Sequence, residues 1–154
     1  ANKFAEENGM EPIRISQINY SLAHSSVETF GDNTLVCMDT KEFRWYKKHD
    51  FPVMAFSPQA QGFFAKLAKV DAANYIPAGQ YAGTVNLARL AKVKQPSEQT
   101  GDTPAKITLG YLNSQPFSVS SVFAVTKLWP LDEDMEAQDL TYDPKTVAFL
   151  ENMI

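Results

Sequence analysis

Between Pro52 and Leu67 the chain reads PVMAFSPQAQGFFAKL, and this stretch holds the residues best placed to meet a ligand. Val53 to Phe56 form a short apolar run of buried-strand type that Ser57 and Pro58 end, and a small-residue loop from Gln59 leads to Gly62-Phe63-Phe64. In an α/β sheet, ligands sit where the carboxyl end of a strand gives way to such a loop, because N–H groups and side chains freed from the ladder point there. Residue types for covalent or acid–base chemistry are sparse. The single cysteine, Cys37, lies between Val36 and Met38, with only His24 and His49 as candidate bases; it reads as a small loop or core residue. One cysteine also excludes an internal disulfide and a multi-cysteine metal site. His24, in a loop, and His49, at a helix end, read as solvated surface residues.

The elements that must position this crossing point follow from periodicity. Residues 1 to 8 read as the end of a helix to which Phe4 and Ala5 give an apolar side, stopped by Asn8-Gly9. Ile13 to Tyr20 alternate apolar with polar, the period of a strand with one buried face. Residues 23 to 38 show no period and read as loop. Asp39, with Glu42 three residues on, opens a helix carrying Phe43 and Tyr46 and ending near His49-Asp50. Residues 71 to 83 read as loop. Leu87, Leu90 and Ala91 begin a helical period that Pro96 should break or kink. Thr103-Pro104 starts a helix carrying Ile107, Tyr111 and Leu112. Val119 to Val125 read as a strand, Leu131 and Met135 as a short acidic helix, and Asp143-Pro144 as the start of a last helix with Val147, Leu150 and Ile154 on one face. Strands alternating with helices imply an α/β fold with about three parallel strands and right-handed crossovers.

Composition bounds the function. A chain of 154 residues can bury one core and suits a single domain. A hydrophobic fraction of 44% and a charged fraction of 21% are those of an ordinary globular protein. No apolar run approaches the roughly 20 residues that span a bilayer, no basic n-region with an apolar segment opens the chain, and the cytoplasm is the expected compartment. A net charge of −4 without a dense Lys/Arg cluster argues against nucleic acid as a partner. The opening Ala1-Asn2-Lys3, without an initiator methionine and already helical in character, suggests a fragment.

Several motifs, in common order and spacing, resemble the aldo/keto reductases, (β/α)8 barrels that reduce carbonyls with a nicotinamide cofactor. Gln17-Ile18-Asn19-Tyr20-Ser21-Leu22 resembles that family's sixth strand, with Glu28 where a glutamate often follows and Ser25 in place of a usual arginine. Trp45-Tyr46 and Ala55-Phe56-Ser57-Pro58 resemble the sixth helix and seventh strand, and Gln59-Ala60-Gln61-Gly62-Phe63-Phe64 is similar to one bacterial branch. Thr103-Pro104-Ala105-Lys106-Ile107, Tyr111-Leu112-Asn113 and Gln115-Pro116-Phe117 resemble the seventh helix and its exit; Ala137, Asp139 and Leu140 resemble a C-terminal motif. A complete barrel needs roughly 250 residues. The resemblance therefore implies a partial, half TIM barrel over 1–154, a single partial domain holding the sixth to eighth strands.

By position, the resemblance implies a part-site for NADP(H) or NAD(H). Gln17 would contact the nicotinamide carboxamide, Phe56 would stack on the ring where the family usually has tyrosine, and Ser57 with the loop from Gln59 to Gly62 would hold the pyrophosphate. Glu133 would meet the adenine. The phosphate clamp is altered: Ala124, Val125, Thr126 and Pro130 stand where basic or hydroxyl residues are usual, Asp134 replaces a frequent asparagine, Pro96-Ser97 replace an apolar pair, and Lys127 is the nearby cation. Asp132, Glu133, Asp134 and Glu136 would repel phosphate and weaken NADPH binding.

The family's Asp/Tyr/Lys/His tetrad belongs to strands upstream of residue 1, so no catalytic residue is assigned and the chain alone is expected to be inactive. Two readings follow. The chain is the C-terminal part of an NAD(P)H-dependent aldo/keto reductase, or it is a non-catalytic binding or oligomerisation module whose open strand edges pair with the missing half or with itself.

Overall fold

A computed structural model describes residues 1–69, 79–125 and 128–151. The elements, in order, are α1 (Asn2–Glu7), β1 (Ser16–Asn19), α2 (Val27–Phe30), α3 (Thr40–His49), β2 (Val53–Phe56), a 3-10 turn (Ala60–Gly62), α4 (Phe63–Ala68), α5 (Thr84–Thr100), α6 (Pro104–Asn113), β3 (Val119–Val122), α7 (Leu128–Glu136) and α8 (Pro144–Glu151). The three strands form one parallel sheet in the order β1-β2-β3. Sequential strands that lie side by side in parallel occur both in a sector of a barrel and in half of a doubly wound sheet.

Register sorts the strand residues onto two faces. Ser16, Val53 and Val119 align in one row and Ile18, Ala55 and Ser121 in another. Ile18, Val53 and Ala55 are buried in a core shared with Tyr46, Phe64, Leu90, Val93, Ile107, Leu112, Phe117 and Leu150 from the following helices and loops. Phe117, just before β3, is its aromatic hub: Tyr20 stacks on it at 6.3 Å, and Phe43 and Tyr46 lie 5.5 Å and 5.8 Å from it. Gln17, Met54 and Ser120 point to the other face, as do Asn19, Phe56 and Val122. That second face is largely open; Gln17, Ser120 and Val122 are exposed.

Local chemistry sets the boundaries. Asp39 caps α3 by accepting from the Glu42 N–H at 2.8 Å, and Thr103 caps α6 by accepting from the Lys106 N–H at 3.3 Å, with Pro104 in the first turn. Within the stretch expected to be loop, Ser26 and Thr29 form a reciprocal capping box that nucleates α2. Residues 36–38 then run beside β1: Asn19 N–H donates to Val36 O at 2.9 Å and Met38 N–H to Asn19 O at 2.8 Å.

Four sequence expectations are corrected. The strand expected over 13–20 begins only at Ser16, and Ile13 and Ile15 are exposed, because the alternation slips at Ser16-Gln17 and leaves them off the buried face. Phe4 is 63% exposed and only Ala5 gives α1 a buried side. The β3 strand ends at Val122, not Val125, where its pairing with β2 runs out. Pro96 does not break α5, which is continuous through it; the helix gives up one N–H bond there while Leu90 and Val93 stay buried and the Pro96 region packs against α8. Part of the loop expected over 71–83 and the end of the last helix, with Ile154, lie outside the described residues.

Candidate functional site

The loop after β2 is built from unusual backbone. Ser57, Ala60 and Gln61 take left-handed φ of 52°, 50° and 55°, and Gly62 follows at 77°. Side chains with a Cβ adopt this region at a cost of roughly 1 kcal/mol or more each, so the fold around the loop must hold it. It does so by burying Ala60 and by two turn bonds, Ala60 N–H to Ser57 O and Gly62 N–H to Gln59 O, both 2.9 Å. Phe63 and Phe64 then anchor α4 in the core. The Lys66 stem folds back over Gly62, passing 3.5 Å from where a Cβ would stand.

This loop forms one wall of a cleft of about 810 Å³ at the carboxyl ends of β2 and β3. Ser57, Pro58, Gln59, Gln61 and Gly62 face Val122 to Val125, Trp129, Pro130 and Asp134 across it, with Ala65, Lys66 and Lys69 along α4 and Ala105 at the margin. Lys69 Nζ stands 5.6 Å from the centre of the Trp129 ring, so α4 and α7 meet at the rim through a cation–π contact. Deeper, Gln59 Nε2 donates to Asp134 Oδ1 at 2.5 Å. Asp134 is only 4% exposed, and among the described residues its Oδ2, like Glu133 Oε1, has no hydrogen-bond partner. Burial first, and then the Glu133 charge, push the Asp134 carboxyl above its ordinary range, while the Gln59 bond opposes them. On the same helix Glu136 pairs with Lys106.

The residues singled out in the sequence fall into two groups. Ser57, Gln59 and Gly62 line the cleft. Gln17 and Phe56 stand on the open sheet face beside it, Phe56 half-buried and, among the described residues, in contact with no other aromatic ring. Glu133 is half-buried on α7, but the residue of that pair on the cleft wall is Asp134. Lys127 and Thr126 lie outside the described residues. His24 and His49 are exposed, the latter stacked on Trp45 at 4.4 Å. Cys37 is buried beside the end of β1, and burial raises its thiol pKa, so it is no activated nucleophile. Among the described residues no three His, Cys, Asp or Glu side chains gather as a metal site, and no helix is long and apolar enough to cross a membrane.

No protein-family model matches the sequence, and no curated protein does. Solved structures match instead. A thermostable aldo-keto reductase, Tm1743, crystallised with the inhibitor epalrestat, aligns with 97% of the chain at a TM-score of 0.61 and 14% identity. The chain has part of an aldo-keto reductase fold. It covers 43% of that reductase and 38% of a second, from Klebsiella pneumoniae in complex with NADP and acetate, which aligns with 89% of the chain at a TM-score of 0.57 and 18% identity. The chain thus spans about two-fifths of the reductases it matches.

Within this partial aldo-keto reductase fold, sequence reasoning missed Lys66, Lys69 and Trp129 as cleft residues. The signal for the lysines was present: their three-residue spacing puts them on one face of a helix whose Phe63, Phe64 and Leu67 are buried. Trp129 carried no such signal, since its place depends on how α7, packed on α6, sets it opposite the end of α4.

Proposed function

We propose that this chain carries part of the nicotinamide-dinucleotide site of an aldo-keto reductase, without the groups that deliver a proton. The observation that supports the reading is the cleft at the strand ends, walled on one side by the left-handed loop from Ser57 to Gly62 and adjoining, at Val122, the sheet face that bears Gln17 and Phe56. The residues present fit such a cofactor in part. Val122 to Val125, Trp129 and Pro130 offer an apolar wall for adenosine, and Lys66 and Lys69 offer positive charge near a pyrophosphate. Gln17 takes the carboxamide, where an amide can both donate and accept. Phe56 stacks on the nicotinamide. Ser57, Gln59 and Gly62 hold the pyrophosphate, Lys127 adds charge, and Glu133 meets the adenine. The bound cofactor would supply hydride; these residues bind and orient it. The Asp134 carboxylate opposes the phosphates and makes the grip weak. The buried thiol of Cys37 suits a reducing cytoplasm.

The test is a titration of a Trp45→Phe variant with NADPH, followed by Trp129 emission. A saturable change that Ser57→Ala and Gln17→Ala weaken is expected, together with no turnover of an activated aromatic aldehyde. A flat titration overturns the reading.

A second reading, a non-catalytic docking module, draws on the sheet edges. Among the described strands β1 and β3 each pair only with β2; residues 36–38 cover the outer edge of β1 at Asn19, while the rest of that edge and the outer edge of β3 face away from the sheet. These free edges take further parallel strands, from the rest of a barrel or from a second copy. A monomer by light scattering at high concentration, unchanged when a separately made front-half barrel is added, counts against it.

A further inference from the structure

The bond between Gln59 and Asp134 joins the loop after β2 to α7, residues 75 apart in sequence, at the back of the cleft. Asp134 spends one carboxylate oxygen on that bond and keeps the other buried, without a partner among the described residues. A buried anion with half its acceptors unmet is costly in its ionised form and cheap in its neutral form. The bond itself depends on charge in the opposite sense: an amide donor grips a carboxylate more strongly than a carboxylic acid. One proton therefore controls two things at once, the hold on the loop and the negative charge on the cleft wall.

We propose that Asp134 is a proton-operated latch: ionised, it ties Gln59 and the 57–62 loop across the cleft and repels phosphate; neutral, it frees the loop and admits an adenine nucleotide. The first half stands on geometry alone, and the second rests on the nucleotide reading above. The groups that face the latch bear on its sign. Lys66 and Lys69 line the same cleft from the α4 side; on α7, Glu133 disfavours the ionised form, while Glu136 is engaged by Lys106 of α6. The lysines are exposed at the cleft margin, where solvent screens them, whereas Asp134 is enclosed. Burial raises the carboxyl, in the direction the latch requires.

Two measurements test it. In the free protein, amide exchange at Ala60 and Gly62, corrected for intrinsic rates, should slow several-fold as pH rises from about 4, the ordinary carboxylate value, to neutrality and the latch closes. It should stay flat in Asp134→Asn and in Gln59→Ala, the second of which keeps the carboxylate and loses the bond. The same profile in all three proteins overturns the latch, whatever the nucleotide does. Binding of ADP-ribose, which lacks a phosphate monoester that titrates in this range, should weaken roughly tenfold over the same interval and hold constant in Asp134→Asn. Equal pH slopes in wild type and Asp134→Asn overturn the control of binding. Exchange that titrates while ADP-ribose binds at no pH sustains the latch and sinks the nucleotide reading instead.

Discussion

Gln17 and Phe56 occupy adjacent rows of the same sheet face: Gln17 aligns with Met54, and Asn19 aligns with Phe56. An amide head and an aromatic ring on neighbouring parallel strands can hold the edge and the face of one planar heterocycle together. Phe56 lies on the open side of the sheet, half-buried, so its ring is not committed to the core. An aromatic stack is worth about 0.5–1.5 kcal/mol. Phe56→Ala is therefore expected to weaken NADPH binding roughly 2- to 10-fold, and Phe56→Tyr to leave it within about twofold, because stacking uses only the ring face. Fluorescence titration of the two variants checks this.

Gly110 sits mid-helix in α6, where a methyl would ordinarily help by about 1 kcal/mol. Here an added Cβ meets Leu140 Cγ and Tyr142 Cε2 at 2.9 Å. Overpacking of a tight contact costs about 1–3 kcal/mol, which exceeds the propensity gain. Gly110→Ala should lower the urea midpoint.

How much of this was legible beforehand follows from the range of each signal. The Val53–Phe56 run bounded by Ser57-Pro58, and the Thr103-Pro104 start of α6, are local, and the structure bears both out. The capping box that makes α2 was equally local but sat in a stretch without apolar period, which masked it. Pro96 misled because proline's cost is local while the packing that holds α5 together comes from elsewhere in the chain. The cleft was half legible: Ser57, Gln59 and Gly62 lie on one continuous loop, but the Asp134 bond and the Trp129 wall are contacts between residues many tens of positions apart, which no period encodes.

Asn86 is one such unannounced contact. It is 2% exposed in the first turn of α5, accepts from His24 N–H at 2.6 Å, and donates to His24 O at 2.8 Å and Tyr81 O at 2.9 Å. It thus pins the chain leaving β1 to the segment entering α5. Asn86→Ala strands backbone groups in the interior at about 1–3 kcal/mol for each left without water. A loss of roughly 2–4 kcal/mol by urea unfolding is expected. Asn86→Asp keeps the acceptor but loses the donors and adds a buried charge, so its deficit should shrink as pH falls.

Three tyrosines set the alkaline limit. Burial lifts the hydroxyls of Tyr20 and Tyr111 well above 10.0, and Tyr142 is pushed up to about 12. Tyr111 donates to Glu151 Oε1 at 2.8 Å, a bond that exists only with its proton in place. Folded values above unfolded ones mean that the stabilisation is whole below the unfolded pKa and drains away as pH rises through the folded values. Stability should be level up to about pH 9 and fall steeply above about pH 10, with tyrosinate absorbance appearing together with unfolding. Tyr111→Phe should lower stability at neutral pH and flatten that alkaline slope.

Pro96 offers the opposite opportunity. Proline inside a helix forgoes one N–H bond and crowds the preceding turn, at about 3 kcal/mol in an exposed host. Part of that is offset here, because proline also restricts the unfolded chain by about 0.4–1 kcal/mol, and because its ring lines a groove of about 270 Å³ against Lys145, Thr146 and Phe149 of α8. Losing those contacts removes about 1 kcal/mol of burial. The restored helix bond is the larger quantity. Pro96→Ala should stabilise the chain by about 1 kcal/mol, seen as a higher urea midpoint at an unchanged m-value. A lower midpoint would mean that the α5–α8 groove, and not the helix ladder, holds α5 through this turn.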